Sequence, residues 1–493
     1  MNDAPKPKKG WRILRWILIC AAILATLIAV FYTEEDWRGK RDWQNYKAEW
    51  EAKGEKFDWQ AFVPPPVPDD QNFFTAPIVT NILSGYFYFS TARSDGGYPN
   101  IKGSSWAEGR MTDLKGWQAY YRNSTNAHST NEFPIAPQPQ TPAADIVLAL
   151  SKYDSAIAEL QQAAQRPGSR LPLNYDNAFD TVSALLPYMG ALKRSCQVLE
   201  LHAAAELANG QSDKAFNDIK LMLRVNDSIR NQPLLISHLV RVALLQLTLQ
   251  PIWEGLAEHR WTDEQLAGLE RELSKQDLLA DYESCLRGER AFAIDIFESQ
   301  RLTREQIMDV GNGDLVTNRF SLMPEAYFYQ NELNFARISQ QYTLPLVDTN
   351  SRVISPEALK QAYEAIQAQM KHPSIYKTQS LMAFPAVAST VKKLAYAQNA
   401  IDLARIACAL ERHHLAHGEY PPSLNALTPQ FIEAIPHDII NGRPLHYQRT
   451  DDGKFLLYSI GWNAVDDGGQ IGLSKKGTWD KDKGDWAWPS TAK

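Results

Sequence analysis

The segment at residues 16–32, WILICAAILATLIAVFY, carries no charge and limits what the rest of the chain can do. With Ile13 and Leu14 it makes an apolar run of about 20 residues, or roughly 30 Å of helix, enough to cross the hydrocarbon core of a bilayer. Its flanks are asymmetric. Lys6, Lys8, Lys9, Arg12 and Arg15 precede it, and Glu34, Glu35 and Asp36 follow. Cationic flanks stay on the cytoplasmic side. Residues 1–12 are therefore expected in the cytoplasm, 13–33 in the membrane as a helix, and everything after Thr33 outside. Trp11, Trp16 and Tyr32 fall where interfacial aromatics belong. No small-x-small pattern closes the run, and Ile19, not a small residue, precedes Cys20. An uncleaved anchor is expected rather than a removable leader or a lipidated cysteine.

The remaining chain reads as a folded body. Over 493 residues the hydrophobic share is 44%, too high for a disordered chain. A mean hydropathy of −0.37 fits one span, not several. The net charge is −6, so no basic field exists to attract nucleic acid, and none is expected as a partner. Four cysteines without a CxxC pair exclude a disulfide scaffold. Cys196, Cys285 and Cys408 lie in helix-like sequence and read as structural thiols.

Composition divides the exported part. In residues 34–70, Trp43, Tyr46 and Trp50 recur at helical spacing and predict a short juxtamembrane helix that packs on the protein's own body. VPPPVPDD at 63–70 follows as a stiff linker. Residues 71–140 are rich in Gly, Ser, Asn, Pro and aromatics, including SDGGYPN at 94–100, and predict an irregular layer with short strands around Tyr86 to Phe89. Residues 141–390 carry strong helical signals. Thr141-Pro142 is an N-cap followed by Pro at the first helical position. Helices at 183–209 and 212–225 break at Asn209-Gly210, a hairpin weakly like a tetratricopeptide repeat. A further apolar helix covers 233–256, and Thr262 with Gln265 forms a capping box. Ser355-Pro356-Glu357 opens another helix. Gly311 to Asp314 and the MPEAYFYQNELN stretch read as loops or surface turns. The fold class expected is mainly α, an antiparallel helical array.

Common catalytic signatures are missing: no G-x-S-x-G, H-E-x-x-H, Walker A or G-x-G-x-x-G. The best metal-like stretch is Glu411-Arg412-His413-His414-Leu415-Ala416-His417, where His413 and His417 share one helix face. Three histidines at a helix end also suit the negative pole of its dipole, the reading preferred here.

Residues 391–493 predict a small α+β module. A helix over 401–418 ends at His417-Gly418-Glu419-Tyr420-Pro421. Asn441-Gly442 follows as a turn, then Leu445-His446-Tyr447-Gln448 and Phe455-Leu456-Leu457-Tyr458 flank Asp451-Asp452-Gly453, a strand–turn–strand pattern. Ser459-Ile460-Gly461 and the acidic Asn463, Asp466 and Asp467 come next. This order of motifs resembles the globular domain of the type II secretion major pseudopilin. The chain as a whole resembles uncharacterised bacterial single-pass membrane proteins with such an ending. The resemblance implies a helix-plus-sheet module closed by a calcium loop, here with Asn463 where the family has aspartate. Asp466, Asp467 and Asp485 would supply the remaining oxygens, with Lys475, Lys476, Lys481 and Lys483 opposing tight binding. It also implies the bacterial inner membrane, with the bulk of the chain periplasmic. Arg15 stands where a pilin has its processing glutamate, so polymerisation is not expected. The function expected is a membrane-tethered scaffold or interaction protein with a protein partner, leaning away from enzymatic activity. The alternative is an extracytoplasmic hydrolase acting on glycan or peptide.

Overall fold

The structure is a computed structural model that describes residues 9–93, 101–123, 133–176, 178–310, 323–371, 374–475 and 479–489. It is mainly helical. In chain order the helices are α1 (Lys9–Glu51), α2 (Pro77–Ser84), α3 (Leu114–Arg122), α4 (Pro142–Leu150) and α5 (Asp154–Ala163). Then come α6 (Ala178–Ala208), α7 (Ser212–Ser228), α8 (Leu235–Ala257) and α9 (Asp263–Ser274). The last four are α10 (Leu278–Val310), α11 (Glu325–Ile338), α12 (Pro356–Met370) and α13 (Thr378–His417). Strands are short. β1 (Val347–Asp348) pairs with β2 (Val353–Ile354), and β3 (His446–Arg449) with β4 (Phe455–Ser459). β5 (Ile471–Leu473) pairs with β6 (Trp479–Gly484), while β7 (Trp486–Ala487) lies on the free side of β4.

The chain divides into two compact units. The first comprises 1–61, 290–341 and 364–384. Its first helix is long and apolar enough to cross a membrane, and none of its apolar window is covered by protein. It runs unbroken through Thr33 and Glu34 to Glu51, so the expected separate juxtamembrane helix is a continuation of the same rod. Trp43 closes a core with Phe57, Ile294, Tyr329, Leu333 and Ala336, and Tyr46 and Trp50 pack against it. Asp36 accepts a 2.7 Å bond from the Ala326 amide at the start of α11. One turn on, Gly39 lets the two helices meet, since a Cβ there would stand 3.1 Å from the Ala326 Cα.

The second unit comprises 62–289, 342–363 and 385–493. Here α6 and α7 form the expected hairpin, and α8 packs on both. Although α8 is also apolar enough to span a membrane, 67% of its window is buried, as befits a core helix. The expected capping box holds: Thr262 caps the Gln265 amide and Gln265 returns to the Thr262 amide. Thr141 caps α4 with Pro142 at its start. The sheet order is β3-β4-β7, with His446 opposite Tyr458 and Arg449 opposite Phe455, as the strand–turn–strand reading requires. Cys196, Cys285 and Cys408 are free and buried.

Four further expectations are corrected. MPEAYFYQNELN is no surface turn. It forms α11, buried nearly all round from Ala326 to Ala336, and its aromatic and Asn-rich composition hides the helical period. Residues 71–140 contain two helices, α2 and α3. Tyr86 to Phe89 is not a strand: Phe87 and Phe89 pack on Tyr153, whose hydroxyl bonds the Ser90 backbone, so no ladder partner is needed. The boundary expected at residue 390 falls inside α13. Lys6, Lys8, residues 94–100, Gly311 to Asp314 and Lys476 lie outside the described residues.

Candidate functional site

Two elements of the second unit bring polar side chains to one cleft. The first is the end of α8. The Arg260 amide bonds the Gly255 carbonyl at 2.8 Å and the His259 amide bonds the Leu256 carbonyl at 3.2 Å. This is a Schellman closure, which needs a left-handed residue just past the helix and usually takes glycine. His259 fills that position with φ of 52°. Trp261 then folds back over the helix, its indole N–H donating to the Ile252 carbonyl at 3.1 Å. Gly255 makes room, since a Cβ there would stand 2.1 Å from the indole nitrogen. The sequence thus aims an imidazole from a backbone site that costs a non-glycine residue about 1 kcal/mol or more.

The second element is the last turns of α13. Glu411 and His414, three residues apart, share a face. Glu411 is 3% exposed, and its Oε1 lies 2.6 Å from Nδ1 of His259. Its other oxygen accepts a 2.9 Å bond from the Tyr420 hydroxyl, which follows the Gly418 turn. Burial and the Glu411 carboxylate together push the Tyr420 phenol up, so it stays a donor. The rings form a chain: His259 on His414 at 5.5 Å, His414 on Tyr420 at 4.8 Å, Tyr420 on Phe455 at 4.9 Å. Trp253, Leu256, Phe455 and Trp488 wall the cleft, a small one of about 100 Å³ that opens to solvent, and Lys454 also lines it. Trp253 donates its indole N–H to the Pro489 carbonyl at 2.8 Å, pinning the C-terminal segment as one wall.

The ligand atoms of His259, Glu411 and His414 all lie within 4.8 Å of one another. The stretch singled out in the sequence supplies Glu411 and His414 to this cluster, and not the His413 and His417 face. His413 and His417 stack on each other at 4.2 Å and spend their Nδ1 atoms on the Glu419 and His413 carbonyls. They close the helix end, in line with the dipole reading. His259 was not singled out.

The acidic loop is a different construction. Asp485 is fully buried and accepts from the amides of Asp467 and Gly469, the latter at 2.6 Å. Burial, opposed by these bonds, raises its pKa. Asp466 accepts from the Tyr458 hydroxyl and the Gly468 amide, and Asp467 from the Asn463 amide group. The four side chains named from the resemblance are brought together, with these oxygens engaged in holding the loop. Asp438, also fully buried, does the same for the neighbouring turn, accepting from the amides of Ile440 and Ile460.

No protein-family model, curated protein or solved structure matches the chain.

Proposed function

We propose that the chain is a membrane-anchored scaffold or interaction protein whose helical body works outside the cytoplasm, associated with the cell envelope or its secretion machinery. The observation that carries this reading is the continuity of α1. Its uncovered apolar half passes without a break into a half locked in the core by Asp36, Gly39 and Trp43. Such a rod transmits position rather than acting as a leash, because a helix resists bending where no Pro or inserted water interrupts its ladder. The basic residues before the run and the acidic ones after it support an inward N-terminus. The helical body offers broad surfaces of the sort an interaction partner uses.

A second reading, a hydrolase acting on glycan or peptide, is favoured by the imidazoles and carboxylate at the mouth of the aromatic cleft. The primary test is topology. Protease added outside spheroplasts is expected to digest the bulk of the chain, while alkaline washing leaves the remaining stub in the membrane. Full protection from protease, or release by alkali, defeats the anchored extracytoplasmic reading.

A further inference from the structure

We propose that His259, Glu411 and His414 form a binding site for one divalent transition-metal ion, zinc by choice of ligands, with an open coordination position facing the aromatic cleft. Two imidazoles and one carboxylate are the donors such ions take, whereas calcium and magnesium prefer oxygen alone. The donor atoms already lie within 4.8 Å of one another. A tetrahedral ion with bonds of about 2.0–2.2 Å needs them roughly 3.3 Å apart. The change is a small one: the His259 side chain is 54% exposed, and the ion takes the place of its 2.6 Å hydrogen bond to Glu411.

Three further features fit. Glu411 is a buried carboxylate whose partners among the described residues are an imidazole and a phenol, not a fixed cation. Arg412, its sequence neighbour, turns away to Asp263 at 2.8 Å and to the Phe431 carbonyl at 3.0 Å. Tyr420 holds the second carboxylate oxygen, the outer-sphere bond that orients a ligating carboxylate. His259 occupies a left-handed position that a glycine would fill at less cost, so the imidazole is there at the expense of the cap. The cleft behind leaves the fourth position to water or to a ligand's donor atom.

The test uses the full-length chain in detergent, stripped with chelator and titrated with zinc chloride, and separately with cobalt chloride for its visible spectrum. One tightly held equivalent of zinc and a tetrahedral cobalt spectrum are expected. His259→Gly, which preserves the helix cap, and His414→Ala should each lose that equivalent. Tyr420→Phe should weaken binding by about 10–100-fold, the usual size of an outer-sphere effect. The double variant His413→Ala/His417→Ala should bind as the parent does. Circular dichroism of each variant separates loss of a ligand from loss of the fold. Failure to retain zinc, or binding that survives His259→Gly and His414→Ala but disappears with His413 and His417, overturns the assignment. Membrane orientation does not enter this measurement, so its outcome is independent of the topology test.

Discussion

His238 lies on α8 with 3% exposure, and its Nδ1 has no hydrogen-bond partner. Burial, then the nearby guanidinium groups of Arg241 and Arg230, push its pKa down to about 3. The folded chain therefore keeps the ring neutral over a range where the unfolded chain, with a value of about 6.5, protonates it. Below pH 6.5 the unfolded state binds the extra proton, so stability is lost as pH falls and the loss levels off near pH 3. Each pH unit in that window is worth about 1.4 kcal/mol. His238→Leu removes the titration. Its stability relative to the parent should rise by about 2–3 kcal/mol on going from pH 7.5 to pH 4.5, read from urea unfolding of both chains. A difference independent of pH would mean that the ring titrates in the fold as it does in the unfolded chain. Glu332 in the other unit has the opposite sign: burial and then Glu298 raise it to about 8, so its ionisation opposes folding as pH rises.

At the scale of elements, the contact of α1 with α11 turns on a single small residue. Any side chain at Gly39 has to share space with Ala326, its first atom already 3.1 Å from the Ala326 Cα. Gly39→Ala asks for a shift of a few tenths of an ångström and regains up to about 1 kcal/mol of helix propensity, so it should be near neutral. Gly39→Leu cannot be placed without separating the helices and should cost about 1–3 kcal/mol, the range for overpacking. Equilibrium unfolding of the two variants checks this, and equal effects would show that the helices do not meet there. Element ends were legible from sequence because caps are local chemistry: Thr262 with Gln265, Thr141 with Pro142, and the Asn209-Gly210 break each act within a few residues. The helix α11 was not legible, since a helix buried on every side loses the two-faced pattern that marks one. The candidate site was half legible. Glu411 and His414 stand in the histidine-rich turn, but His259 is 152 residues from Glu411 and meets it only through tertiary packing. Its single local mark is a histidine where a helix stop usually takes glycine.

At the scale of the whole molecule, the C-terminal strands and the helices of the second unit share one aromatic core. Tyr396 on α13 stacks on Trp106 at 6.1 Å and meets Trp479 at 4.9 Å and Trp486 at 5.4 Å. Trp106 also touches Trp488, and the Trp106 amide donates to Gln250 of α8, while the neighbouring Glu254 takes both the amide and the hydroxyl of Thr112. Segments some 380 residues apart in sequence therefore bury the same surface, and neither side keeps its apolar face covered without the other. This argues that the strands fold with the helices rather than as a separable module, because a cooperative transition follows a shared core. Tyr396→Ala removes the ring at the centre and should cost about 3–5 kcal/mol, as large aromatic deletions in cores do. More telling is the form of the transition. Far-ultraviolet dichroism, which follows the helices, and tryptophan fluorescence, to which Trp106, Trp479, Trp486 and Trp488 contribute among the chain's 14 tryptophans and which is read as the difference from a chain with these four replaced by Phe, should shift together in Tyr396→Ala and stay coincident. If the fluorescence change moved to lower denaturant while the helical signal held its midpoint, the strands would be an independent unit, and the shared core would not be what couples them.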